Sequence, residues 1–249
     1  MVVARIRNWL FLIALLALGV TFFTRERLQT VTEICPETLA EPVQTRLAKR
    51  EVLKFARNNY NYEVTPLYEY HISGLVVRKL NYGWFVIDKS EKVFPCDVCL
   101  IWGDNLKNKL HQDATVRFSQ DCRFCFAQWG AEVKFRMDQL SNNHLLVDNA
   151  DIKAQLNRVR TSDQITIHGK LVNVKAKLTG PGGRYDSDNL TWNTSTTRTD
   201  TGPGACEVIL VERVDVLQRG NPVVRLLFHV GLVALGALVL WFLVDLVRP

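Results

Sequence analysis

Two apolar stretches, one at each end of the chain, constrain this sequence more than anything between them. The first covers residues 8–24 and carries no charge between Arg7 and Arg25. At about 17 residues it reaches the lower limit for a helix that crosses a bilayer. A cleaved signal peptide would need small residues at its cleavage site, and Val20-Thr-Phe-Phe-Thr-Arg25 does not supply them. The sequence therefore predicts an uncleaved signal anchor. The second stretch, residues 226–244, is apolar between Arg225 and Asp245 apart from His229. Its small residues Gly231, Ala234, Gly236 and Ala237 offer a face against which another helix, or the same span of a second copy, can pack.

Two spans place both termini on one side of a membrane and everything between them on the other. Arg5 and Arg7 favour a cytoplasmic N-terminus, and Arg248 gives the C-terminus a weaker bias in the same sense. Arg25, Arg27 and Arg225 oppose it but flank a long translocated loop, where charge counts for little. The expectation is an integral protein of a bacterial inner membrane, N-in and C-in, with its main domain outside the cytoplasm. Its segments are a cytoplasmic tail (1–7), a first span (8–24), a helical membrane-proximal segment (25–63), a β-rich extracytoplasmic domain (64–222) and a second span (223–247).

Within that frame, residues 36–57 run from acidic Glu37 and Glu41 to basic Lys49, Arg50, Lys54 and Arg57, an order that complements a helix dipole. Apolar residues recur there at near-helical spacing, with Pro42 as an interruption. From residue 64 onward the pattern becomes alternating and β-rich, with candidate strands over 68–77, 83–88, 98–102, 114–119, 124–129, 163–176 and 206–216. Gly169 marks a bend or bulge, and 149–159 reads as a helix. Short strands with one intervening helix predict a small antiparallel barrel or sandwich of OB-like pattern, carrying one or two accessory helices. An aromatic content of 10% and a hydrophobic content of 47% exclude a disordered domain. The net charge of +6 is scattered rather than clustered, and no row of exposed aromatic and basic residues marks a nucleic-acid surface.

Six cysteines carry the chemistry: the C-x-x-C pairs Cys96/Cys99 and Cys122/Cys125, and the separate Cys35 and Cys206. Outside the cytoplasm the favoured reading is disulfides among all six. A bridge from Cys35 to Cys206 would then clamp the base of the domain, worth roughly 3–5 kcal/mol. In a reducing space, Cys96, Cys99, Cys122 and Cys125 could instead hold a structural zinc. A redox role for either C-x-x-C lacks the helix N-terminus that normally activates such a thiol.

Residues 178–205 form a long polar loop, in which Trp192 and Arg198 are candidate contacts for a partner. Asp186 and Asp188 lack the glycine and distal glutamate of a calcium loop. Ser141-Asn-Asn-His144 is polar enough to line a site, and a turn explains it equally well. No nucleophile elbow, phosphate loop or zinc-protease motif is present. The functional expectation is a non-enzymatic protein whose extracytoplasmic domain binds a protein or envelope partner in a membrane assembly, with no cofactor. The lipid bilayer and a membrane or envelope protein are its expected partners, and nucleic acid is not. An envelope thiol–disulfide redox protein and a cytosol-facing zinc domain are the alternatives.

Overall fold

The computed structural model describes residues 2–82, 93–121, 123–182 and 187–247. The expected strand at 83–88, Cys122, Asp186 and Arg248 lie outside them.

The terminal helices α1 (Val2–Thr24) and α4 (Pro222–Val247) are long and apolar enough to cross a membrane, with mean hydropathies of 1.9 over Arg5–Thr24 and 2.5. They lie antiparallel. Arg7 pairs with Asp245 at one end, and at the other the Arg25 guanidinium sits 4.1 Å from the centre of the Phe228 ring. Gly231 lets the backbones approach, since a Cβ there would lie 3.3 Å from Leu18 Cγ. Gly236, on the same helix, faces open space.

Between the helices stands a β-rich domain organised by β3 (Tyr60–Asn81), a 22-residue strand. Such a length cannot stay flat, and register shifts at Pro66/Tyr68 and Val76/Arg78 bend it. Pro66 falls at the first of these, where a missing N–H costs least. One end of β3 pairs with β4 (Cys96–Ile101), and β4 pairs with β7 (Leu140–Leu146). Strand β7 lies parallel to β10 (Glu207–Gln218), which runs antiparallel to β8 (Gln164–Leu178). Strand β8 returns to pair with β3 along most of its length, and the short β9 (Asn189–Trp192) adds to its edge. The expected bend at Gly169 is present: a Cβ there would lie 2.2 Å from Leu210 O, opposite a register shift in β10.

Inward residues of these strands, among them Tyr70, Ile72, Val98, Leu100, Leu145, Ile165, Ile167 and Ile209, form a core with almost no exposure. The helix α3 (Ala150–Arg158) covers it with Leu156. The helix expected over 149–159 is present, and Asn149 caps it, its side chain accepting from Asp151 N at 2.7 Å. On the other face of β4, the hairpin β5 (Arg117–Asp121) and β6 (Phe124–Gln128) and the short helix α2 (Asp104–Lys107) bury a second group around Leu75, Ile101, Leu106 and Phe118.

The helix expected over 36–57 is not formed. Residues Pro36–Leu39 make a single tight turn, then β1 (Val43–Arg46) and β2 (Leu53–Arg57) both add to β3. Asn58 and Asn59, with φ of 51° and 66°, supply the left-handed pair that a two-residue hairpin needs between β2 and β3. Sheet hydrogen bonding to β3 outweighs a helical preference that Pro42 and the β-branched Val43, Thr45 and Val52 already weaken. Glu41, counted there as a first-turn acid, instead accepts from Trp102 Nε1 at 3.0 Å and Gln139 Nε2 at 2.8 Å.

Domain and helices meet at Asp163, whose side chain has no exposure. It accepts Arg225 Nη1 at 2.6 Å, Arg219 Nη1 at 3.0 Å, Gly220 N at 3.0 Å and Arg160 N at 2.9 Å. One residue on, Asn221 Nδ2 donates to the carbonyls of Arg25 and Arg27, both at 3.1 Å. The start of α4 is thereby bound both to the domain and to the exit of α1. Gly220 is required, since a Cβ would lie 2.2 Å from Ser162 O. Removing a carboxylate that buried cations surround strands those cations. Asp163→Ala is expected to lower stability by about 3–5 kcal/mol, read as a shift in denaturant midpoint of the full-length protein in detergent, whereas Asp148→Ala, on the exposed approach to α3, should change it by less than about 0.5 kcal/mol.

Candidate functional site

Strand β7 is the unusual element. It reads Leu140-Ser-Asn-Asn-His-Leu-Leu146, and Ser141 to Leu146 are all buried. A polar strand inside a sheet is stable only if its side chains find partners. Asn143 Nδ2 donates to Val98 O at 3.0 Å and Ser141 Oγ at 2.9 Å. On the opposite face, His144 Nδ1 meets Asp97 Oδ2 at 2.6 Å, and Tyr82 OH donates to the same oxygen at 2.7 Å. Asp97 and His144 are direct partners across the β4–β7 ladder, which is why they meet. His144 also hydrogen-bonds Cys206, the residue that leads into β10. Asp97, His144 and Cys206 thus lie together where β4, β7 and the entry to β10 meet.

Burial opposes charge on His144, but its hydrogen bonds to Asp97 and Cys206, with the charge on Asp97, outweigh it and raise the imidazole from 6.5 to about 9. Cys206 is half-buried. Its sulfur lies 3.8 Å from Arg123 O and 4.0 Å from Asn142 Nδ2. The same Asn142 amide reaches Cys99 Sγ through Oδ1 at 3.7 Å.

The cysteines sort by strand face. Residues three apart on a strand point to opposite sides of the sheet. Cys96 therefore enters the inner core with Tyr70 and Leu145, while Cys99 faces outward against Ile101 and Phe118. Cys99 is joined by a disulfide to Cys125 of β6, Cα–Cα 6.1 Å, which fastens the hairpin to the sheet. Cys96 remains a thiol, pushed up from 9.0 to about 12 by burial. Cys35 is also a thiol, near the membrane-proximal end, where Cys35 Sγ donates to Gln218 Oε1 at 3.6 Å and Cys35 N to Gln164 Oε1 at 2.8 Å. The base clamp from Cys35 to Cys206 is not made, because the two residues sit among different neighbours at Gln218 and at Asn142. Among the described residues, no three His, Cys, Asp or Glu side chains converge on a metal position. Of the four cysteines of the zinc alternative, two are spent on each other and Cys96 faces away from them.

A cleft of about 400 Å³ opens beside Cys206. Phe124, Phe126, Met137 and Leu140 form one wall, Asp200 to Pro203 the other, and Asn142, Cys125 and Cys206 lie between them. Gly202 and Gly204 hold φ of 85° and 91°, which the loop needs to turn back into β10. That loop is fastened from beneath. Arg198 donates to Glu207 Oε1 at 2.6 Å and Tyr70 OH at 2.8 Å, and burial raises the Glu207 carboxyl from 4.5 to about 7 against the pull of Arg198. Trp192 is half-buried and packs edge-on against Phe94 at 5.3 Å, with the Arg123 guanidinium 5.2 Å from its ring. The two residues expected to meet a partner, Trp192 and Arg198, are thus engaged within the chain.

No known family, curated protein or solved structure matches this chain. The site therefore rests on its own geometry. Asn142 and His144 carried a sequence signal only as part of a polar run, and Asp97 carried none, because nothing in the sequence shows that β4 and β7 are neighbours.

Both perturbed groups make stability fall as pH rises. Between 4.5 and 7, folded Glu207 keeps a proton that the unfolded chain releases; between 6.5 and 9, folded His144 does the same. Denaturant unfolding in detergent is expected to show declining stability across both windows, with Glu207→Gln flattening the acidic window and His144→Gln the alkaline one.

Proposed function

We propose that this chain is a non-enzymatic component of a membrane assembly, whose β-domain stands outside the cytoplasm of a bacterial-type inner membrane and binds a protein partner through the cleft beside Cys206. The observation that carries the reading is the outward face of β6. Phe124 and Phe126 are 44% and 47% exposed on that strand, and Trp129 just beyond it is 38% exposed, while the inward Cys125 and Ala127 already satisfy the core. Two aromatics at solvent positions of one strand, bordering a cleft, with a third half-exposed just beyond it, fit an interaction surface better than ordinary scatter.

The strand order supports an OB-like barrel as the scaffold. The pairings β3–β4, β4–β7, β7–β10, β10–β8 and β8–β3 return to their starting strand, with α3 between the third and fourth of the five. The antiparallel helices and Arg5 and Arg7 support a hairpin entering from the cytoplasmic side. A disulfide between Cys99 and Cys125 fits an oxidising compartment. Bound to both helices through Asp163 and Asn221, such a domain would hold its cleft at a fixed height and direction above the bilayer.

A photo-reactive phenylalanine analogue at Phe126, in cells expressing the full chain, is expected to give one discrete protein adduct. That adduct should be lost in Phe124→Ser, a change at an exposed position that leaves stability within about 0.5 kcal/mol. Crosslinking to lipid alone, or catalytic turnover by the purified chain, would refute the proposal.

A further inference from the structure

We infer that the pocket between the exit of α1 and strand β5 binds the phosphate of an anionic phospholipid headgroup, in the leaflet on the domain's side of the membrane. The site needs only that the terminal helices cross a bilayer. It is independent of the cleft beside Cys206 and of which side the domain faces.

A pocket of about 380 Å³, within the range of small-ligand clefts, opens where α1 meets the domain. Glu26 and Arg27 line it from the exit of α1, Arg78 from β3, Arg117 from β5 and Thr161 from the turn before β8. The joint at Asp163 fixes its walls. Asn221 Nδ2 donates to the Arg27 carbonyl at 3.1 Å, and Arg225 Nη2 to the Thr161 carbonyl at 2.7 Å. Arg78 Nε donates to Phe118 O at 2.7 Å, which anchors the side chain and leaves both its terminal nitrogens without a hydrogen bond among the described residues. The Arg27 and Arg117 side chains make no hydrogen bond or ion pair among the described residues either. Three arginines against one glutamate leave the described lining with an excess of two positive charges. Other cations at this end are engaged: Arg25 stacks on Phe228, and Arg219 and Arg225 are held by Asp163.

The pocket lies at headgroup depth. The apolar window Arg5–Thr24 has 20 residues, about 30 Å of helix, and the hydrocarbon core of a bilayer is about 30 Å thick. Arg27 follows directly on that window, in the layer where lipid phosphates sit. Guanidinium groups match phosphate oxygens with paired N–H donors, and they give up water more readily than an ammonium does. A phosphate among these three arginines relieves their mutual repulsion and pairs nitrogens that the fold leaves free. An acidic protein segment carries suitable charge too, but it would have to enter between the domain and a lipid surface where headgroups are already concentrated.

Full-length protein in neutral detergent would be supplied with equal amounts of dioleoyl phosphatidylglycerol and dioleoyl phosphatidylcholine, and the lipid retained per chain counted by native mass spectrometry. Phosphatidylglycerol is expected to be retained at least about 10-fold more often, at one per chain. Arg27→Gln combined with Arg117→Gln should lower that preference by about 10-fold. Lys175→Gln combined with Lys177→Gln, the same loss of charge at the far end of β8, should leave it unchanged. Thermal midpoints of the lipid-free variants equal to that of the parent would show that folding is intact, and the comparison of the two lipids on the parent chain needs no variant. Equal retention of the two lipids, or a preference untouched by the arginine changes or lowered as much by the lysine changes, would overturn the inference. Displacement of the lipid by millimolar inorganic phosphate or by a polyglutamate peptide would assign the pocket to a soluble anion or to an acidic protein and overturn it likewise. None of these outcomes alters the Phe126 adduct, so this site and the partner cleft fail separately.

Discussion

The buried carboxylate of Asp163 fixes how everything else in this protein is placed. A carboxylate out of water is costly unless cations and N–H groups surround it, and here two arginines and two backbone amides do so. The arginines come from the exit of β10 and the first turn of α4, and Asn221 extends the joint to the carbonyls at the end of α1. Charge thus does at the boundary between the domain and its terminal helices what apolar packing does elsewhere. The bond is directional, so the domain has a defined orientation on its helices instead of hanging from two linkers.

A similar economy of polar groups operates inside the sheet. Strand β7 brings Ser141, Asn142, Asn143 and His144 into a buried layer, where Asn143 donates to Ser141 and to Val98 O of β4, Asn142 meets Gln120 of β5 and the Arg123 carbonyl, and His144 meets Asp97 of β4. Asn143 Oδ1 and Asp97 Oδ1 stay buried without a hydrogen-bond partner among the described residues, so the bonds that are made hold the strand to one arrangement. The arrangement therefore fixes the register of β7 between β4 and β10, and with it the position of Cys206 against His144.

The ends of the chain were legible in the sequence because an unbroken apolar run is a local property. Gly169 as the place of a sheet irregularity and the helix over 149–159 were legible for the same reason. The stretch 36–57 was misread because its charge order and apolar spacing fit a helix, whereas its fate was settled by β3, a strand it contacts only through tertiary pairing. The Asn58-Asn59 pair was the available clue, since two asparagines before alternating Tyr60, Tyr62 and Val64 favour a left-handed hairpin turn. Strand β7 was missed because its polarity mimics a turn, and only its neighbours explain why so polar a segment is buried.

The cysteines give the most general lesson, since their spacing means different things on different elements. On a helix or a zinc knuckle, C-x-x-C brings two sulfurs together; on a strand the two-residue period drives them apart. The same four-residue motif therefore sends Cys96 into an apolar core that suppresses its ionisation and Cys99 to an outer face where it can be oxidised. Cys206, entering the sheet beside His144, meets a third environment. A single oxidising compartment would then act on them unequally. It closes the pair that face each other and leaves the buried thiol inert, while Cys206 lies half-buried at the edge of the cleft.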